Sequence, residues 1–191
     1  MKRIAVGLIG LAATIVAGRA DIIPSFLSQT STGGPNPNTV FSYSADITDE
    51  QSATNGDYFT IYDFGSIVPN SNVQPAGWVF SEQLVGPAPG GTKATDNPSI
   101  LNLTWTYTGP TILGTSPAGK GIGPFSVTVL GPPSSLGSSL FAAQGTLAVG
   151  PDAGTKVGNV GTIPVPVPEP SVLALLTVAG VGLLASARRK S

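Results

Sequence analysis

An all-β fold is what this sequence predicts, and three observations carry the expectation. Between residues 39 and 163, short segments alternate apolar and polar residues with the period of two that lets a strand bury one face. Clusters of Gly, Pro, Asn and Asp separate these segments, as turns require. Outside the two chain ends no stretch keeps the 3.6-residue apolar period of a helix. About six or seven short strands with this spacing predict two packed antiparallel sheets, a β-sandwich, with a jelly roll or a barrel as the rivals.

Taken in order, residues 28–38 are rich in Ser, Thr, Gly, Asn and Pro and predict a loop or weakly ordered arm. Residues 39–45 alternate, with Phe41 and Tyr43 on one face. Residues 57–64 are aromatic and β-branched throughout, the composition of a strand buried on both faces. In residues 77–85 the period sets Trp78, Phe80 and Leu84 on one side. Residues 101–107 alternate most cleanly, placing Leu101, Leu103, Trp105 and Tyr107 together and inward, with Thr104 and Thr106 opposite. Residues 125–129 repeat the period, and residues 140–149 and 155–163 predict two strands built on small residues. Turn clusters fall at 48–56, 69–75, 86–98, 109–123, 131–139 and 150–154. No repeat of fixed period is present, so solenoids and propellers are not expected.

Both ends of the chain read as membrane-directed. Lys2 and Arg3, an apolar run over 4–17 and the small-residue site Gly18-Arg19-Ala20 predict a signal helix cleaved after Ala20, with an uncleaved signal anchor as the alternative. The exported domain is then 21–163. Pro164, Pro166, Pro168 and Pro170 fix φ and remove backbone donors, so 164–170 predicts an extended polyproline II spacer, neither helix nor central strand. Residues 171–187 carry no charge, and as a transmembrane helix they span roughly 25 Å, slightly short of a hydrocarbon core of about 30 Å. Arg188, Arg189 and Lys190 follow and, by the positive-inside rule, hold the C-terminus in the cytoplasm.

The run Pro168-Glu169-Pro170, then an apolar helix, then a basic cluster within 171–191, resembles the PEP-CTERM sorting signal. That resemblance implies export by a Gram-negative bacterium, many of which make exopolysaccharide, and processing near the motif by an exosortase-type membrane peptidase. It covers only about the last 25 residues and implies a route, not an activity; a permanent single-pass anchor is the alternative, since hydropathy alone does not separate the two. Residues 59–64, 76–78 and 103–107 are also similar to an ectodomain type carried by other proteins with this tail, a likeness that implies a fold and no established activity.

With the ends set apart, the charge changes meaning. The whole chain is near neutral at −1, but between Asp21 and Glu169 three lysines, Lys93, Lys120 and Lys156, face all ten acids, a net −7. Such a domain does not suit nucleic acid or anionic lipid as a partner. The chain has no cysteine and no histidine, so no disulfide braces the fold and the commonest general base and transition-metal ligand are missing.

The remaining chemistry is weighed residue by residue. Asp46, Asp49, Glu50 and Asp57 form an oxygen-rich cluster, a weak calcium candidate whose spacing fits neither the EF-hand nor the nonapeptide β-roll; a solvated acidic turn is the ordinary reading, and no metal site or cofactor is expected. Two of these, or Asp63 with Glu82, would have to stand about 5–10 Å apart to serve as a glycosidase pair. A serine nucleophile would need a lysine base, and the three lysines stand beside no serine motif. Gly119, Gly121 and Gly123 form G-K-G-I-G, expected as a flexible loop because no strand-loop-helix context surrounds it. Trp78, Trp105 and Tyr107, with Tyr58 and Tyr62, would stack on sugar rings if exposed, but their place in alternating strands favours the core. Asn102-Leu103-Thr104 matches the glycosylation acceptor, which carries little weight in a bacterial exported protein.

The expectation is therefore a non-enzymatic, exported surface or extracellular-matrix protein. It would be anchored in the inner membrane through 171–187 before processing and released to the cell surface or medium afterwards. An exosortase-type peptidase and extracellular polysaccharide are its expected partners. A carbohydrate-binding module is the main alternative and a glycoside-active enzyme a distant one.

Overall fold

A computed structural model describes residues 22–115, 119–132 and 135–167. Strands are the only regular structure among them: β1 (Ile22–Ser31), β2 (Thr39–Ile47), β3 (Gln51–Ala53), β4 (Tyr58–Ile61), β5 (Trp78–Gln83), β6 (Asn102–Tyr107), β7 (Ile112–Leu113), β8 (Lys120–Val129), β9 (Leu136–Leu147) and β10 (Lys156–Pro166). The expected signal helix, transmembrane helix and sorting motif lie outside the described residues. Among the described residues no helix is long and apolar enough to cross a membrane.

All pairings are antiparallel and fall into two sheets, β1-β2-β8 and a larger one running β5-β6-β4-β9-β10. Strands β3 and β4 follow one another along the same edge of β9, and β7 extends the larger sheet beside β3. The sheets are separate ladders, which sets aside a closed barrel. They meet face to face in a sandwich-like arrangement because each contributes alternate apolar residues. On β2 the inward set is Thr39, Phe41, Tyr43, Ala45 and Ile47, all buried. Rings interlock across the gap: Phe125 of β8 stands edge-on to Phe59 at 4.9 Å and to Trp78 at 5.1 Å, and Phe41 edge-on to Phe64 at 5.8 Å. Burying one such side chain contributes about 1.5–3 kcal/mol before any aromatic geometry is counted.

The register expected for residues 101–107 is observed from 103 on: Leu103, Trp105 and Tyr107 belong to the core, while Thr104 faces the other way and bonds Thr60 Oγ1 at 2.8 Å; Leu101 precedes β6, is partly buried and does not join that core. Strand β4 is buried on both faces, and the long loop after β5 is the reason. Asn102, fully buried, donates to Asp96 Oδ1 and the Leu84 carbonyl, Asp96 Oδ2 accepts from the Gly86 amide, and Tyr62 donates to the Pro87 carbonyl at 2.6 Å. The loop thus lies over the outer face of the larger sheet. Gly158 is required there, since a Cβ would stand 2.2 Å from Pro89.

Four expectations are corrected. Residues 28–31 belong to β1, which runs its full length against β2. Apolar patterning could not show this: past Phe26 the strand is held by backbone bonds and presents polar side chains, with Pro24 tolerated because β1 is an edge. The G-K-G-I-G segment is no flexible loop from Lys120 onward; Lys120, Gly121 and Ile122 pair with Ile47, Asp46 and Ala45. Leu84 does not join Trp78 and Phe80 inside, because β5 ends at Gln83 and Leu84 is half exposed. The spacer expected at 164–170 begins inside the domain, for Pro164 and Pro166 pair with Ser138 and Leu136 as the end of edge strand β10.

That last placement has a backbone reason. The Val167 amide donates to the Ser135 carbonyl and the Leu147 amide to the Thr155 carbonyl, so odd-numbered residues of β10 turn their backbone groups toward β9. The prolines occupy the alternate positions, where the missing donors would have faced away, and the Pro164 carbonyl accepts instead from Tyr43 Oη at 2.9 Å. Alternating prolines therefore blunt the outer edge of β10 against further strand pairing.

Buried phenols give the fold a pH limit. Burial pushes Tyr58 up to about 12; Tyr62 rises to about 12 through burial first, then the neighbouring Tyr58 and Asp96. Tyr43 and Tyr107 also shift upward through burial. Above the ordinary value of 10.0 the unfolded chain releases phenolic protons that the folded chain keeps, so stability is intact below pH 10 and falls as pH rises toward 12. The expected slope is up to about 1.4 kcal/mol per pH unit for each buried tyrosine. Phenolate absorbance should rise together with loss of the circular-dichroism signal; smooth titration near pH 10 in a folded protein would contradict the burial.

Candidate functional site

The densest polar station forms where the chain breaks between β3 and β4. Asp57, fully buried, sits at that break. Its Oδ2 accepts from the Thr54 amide at 2.7 Å, Thr54 Oγ1 at 3.1 Å and Thr146 Oγ1 at 2.7 Å. Its Oδ1 receives the Lys156 ammonium at 2.7 Å, reaching over from the start of β10. Lys156 also donates to Thr54 Oγ1 at 2.8 Å and to the Asn55 carbonyl. The carboxylate is saturated by its own domain. An ammonium spent on donating has no lone pair with which to take a proton from Thr54, so this arrangement is a clasp holding three strands together rather than a base beside a nucleophile.

The acidic cluster suggested as a calcium candidate is not brought together. Asp46 lies on β2, whose Ala45 and Ile47 point into the core while it points out; Asp49 Oδ1 accepts from the Glu50 amide in an exposed turn; Asp57 is the buried clasp. Among the described residues no three His, Cys, Asp or Glu side chains gather around a metal-sized space. Of the other carboxylates weighed, Asp63 Oδ1 accepts from the Asn97 amide, and Glu82 is exposed on edge strand β5.

The aromatics considered as a sugar platform are core residues, as their place in alternating strands favoured. Trp78, Trp105 and Tyr107 are 4 %, 0 % and 3 % exposed, locked in one cluster with Phe59 and Phe125. All seven Phe, four Tyr and two Trp of the chain lie in described segments, and none is classed as exposed. No fully exposed ring is offered for stacking, and the partly exposed Phe26 and Phe80 pack against the core. The acceptor-like Asn102 is likewise buried, its amide occupied by the loop after β5.

What the sequence did not point to is the pole where β1 ends, β2 begins, β8 ends and β10 leaves. Pairings Ser31↔Thr39, Thr39↔Val129 and Leu136↔Pro166 bring these strand ends together. Between the sheets there opens a pocket of about 320 Å³, walled by Phe41, Phe64, Ile67, Val129, Pro166 and Val167 among others. Among the described residues no charged side chain lines it. The opposite pole, where Ile47 pairs with Lys120 and Gln51 with Leu147, holds Asp46, Asp49, Glu50, Asp57 and Asp152 against Lys120 and Lys156. Glu82, Lys93 and Asp96 lie on the flank formed by β5 and the loop that follows it, and Asp63, next to the pocket-lining Phe64, accepts from that loop at Asn97. Single-residue motifs could not announce such a pole; the clue in the sequence was the absence of charge over 27–45, 64–81 and 121–151.

No protein family, no curated protein and no solved structure matches the chain.

Proposed function

We propose that the chain is an exported bacterial surface or matrix protein whose β-sandwich domain has a structural or interaction role without catalysis. In this reading residues 1–20 direct export, and 171–191 hold the domain at the inner membrane until an exosortase-type peptidase acts near Pro168-Glu169-Pro170. The observation that carries it is the order of the last segments: a proline-bounded acid, then an uncharged run, then Arg188, Arg189 and Lys190. The ladder of β10 supports it, because its extended backbone leads from the folded domain directly toward the motif.

Carbohydrate recognition by stacked rings is not favoured, since every aromatic ring is turned inward or partly covered. The test replaces Pro168, Glu169 and Pro170 together with alanine in cells that contain the peptidase. Full-length protein should then accumulate in the membrane, while the unaltered chain yields a mature form lacking 172–191 by mass. Recovery of unaltered chain that still contains 172–191 would replace the sorting reading with a permanent anchor.

A further inference from the structure

We infer that the uncharged pole of the domain is a bilayer-facing surface, resting in the lipid headgroup layer while the tail is in the membrane. The inference rests on the proposed membrane insertion of 171–187. Its first support is length. The ladder of β10 continues to Val167, whose amide is bonded to Ser135, so only four residue steps separate the folded domain from Ser171. Fully extended, four steps reach at most about 14 Å. The polar layer between hydrocarbon and water is about 5–8 Å thick on each side. A tether this short keeps the pole within about 14 Å of the hydrocarbon boundary and makes it the part of the domain nearest the headgroups, whereas the full seven-residue spacer expected from the prolines would have let it stand farther off.

Chemistry is the second support. This pole exposes Leu130 at 74 %, Leu136 at 42 % and Val167 at 38 %, beside Pro132 and the open apolar pocket. Lone exposed aliphatics are ordinary, but Leu130 and Val167 at one apolar opening, with Leu136 paired to Pro166 beside it, form a patch that loses little by leaving water. A bilayer is favoured over a second copy since the tether keeps lipid within reach of this pole on every molecule, at any protein concentration. Docked in this way, the pole would bring the end of β10 to the headgroups, at the start of the segment that carries the motif.

The chain has no cysteine, so single-cysteine labelling tests this directly. Full-length Leu130→Cys and Asp152→Cys proteins, exported in cells lacking the peptidase and then purified, carry an environment-sensitive fluorophore. They are reconstituted into phosphatidylethanolamine vesicles containing a minority of phosphatidylglycerol and a nitroxide-bearing lipid. The label at 130 should be blue-shifted and quenched severalfold more strongly than the label at 152. Adding Leu130→Glu to a Leu136→Cys protein should return its label to water without lowering the melting temperature, because the Leu130 side chain is mostly exposed. If the protein floats with the vesicles but both labels report water, the docking is wrong and the tail reading stands. If it does not float, the tail reading fails and the docking with it. If the label at 130 is shielded without lipid and in proportion to protein concentration, a second copy occupies the pole and the bilayer assignment is overturned.

Discussion

Replacing Asp57 with alanine should lower folding stability by about 3–4 kcal/mol, a large part of the roughly 5–15 kcal/mol typical of a domain. The loss does not come chiefly from the ion pair. Lys156 is 40 % exposed at its side chain, so once the carboxylate is gone its ammonium can turn to water and is not itself left stranded. It comes from the neutral side of the clasp. The Thr54 amide, Thr54 Oγ1 and the buried Thr146 Oγ1 all donate to one oxygen; removing it strands the amide and leaves the two hydroxyls, 2.8 Å apart, only one bond between them, at about 1 kcal/mol or more for each donor lost, with the cavity adding to it. Asp57→Asn should cost nearly as much, because an amide nitrogen must face either the threonine donors or the ammonium. Lys156→Ala should cost only about 1–2 kcal/mol, since water can replace the cation at Oδ1. Urea denaturation of the three variants checks the order; a lysine variant as unstable as Asp57→Ala would show that the charge pair, not the neutral donors, holds the clasp.

That clasp also marks where sequence reasoning ended. Partners Asp57 and Lys156 are 99 positions apart, and no spacing rule links an acid in a predicted strand to a lysine at the start of another. By contrast, the alternation over 39–45 and 101–107 was legible because inward and outward faces differ in solvent, and that difference is written in residue type. Strand β1 and the start of β8 were not legible. Ser28–Ser31 and Lys120–Gly121 are held by backbone bonds to β2, and such bonds leave no trace in side-chain polarity. The prolines misled for a related reason. Reading them as a free spacer was sound for their φ, but whether an extended segment pairs depends on a neighbouring edge, and β9 supplies one. As for the candidate site residues, the reading that large aromatics on alternating strands belong to the core was legible. The apolar pole was not, because it is assembled from strand ends and loops distant in sequence.

Trp105→Ala should destabilise the domain by about 3–5 kcal/mol, while Trp105→Phe should cost under about 1.5 kcal/mol. Trp105 is fully buried, stacked on Phe59 with centroids 5.0 Å apart and planes at 22°, and tilted against Phe80 at 5.2 Å. Alanine would leave a cavity between two rigid sheets whose other rings are fixed by Phe125 and Trp78, so the walls have little room to collapse. Phenylalanine keeps most of the stack. It also removes an indole N–H that is buried and finds no acceptor among the described residues, so the smaller ring gives up contact area but no hydrogen bond. The gap between the two variants is therefore the measurement that matters. Equal losses in denaturant would mean that the indole nitrogen makes a bond essential to the fold. A Trp105→Ala protein of unchanged stability would mean that the ring does not stand between the sheets at all.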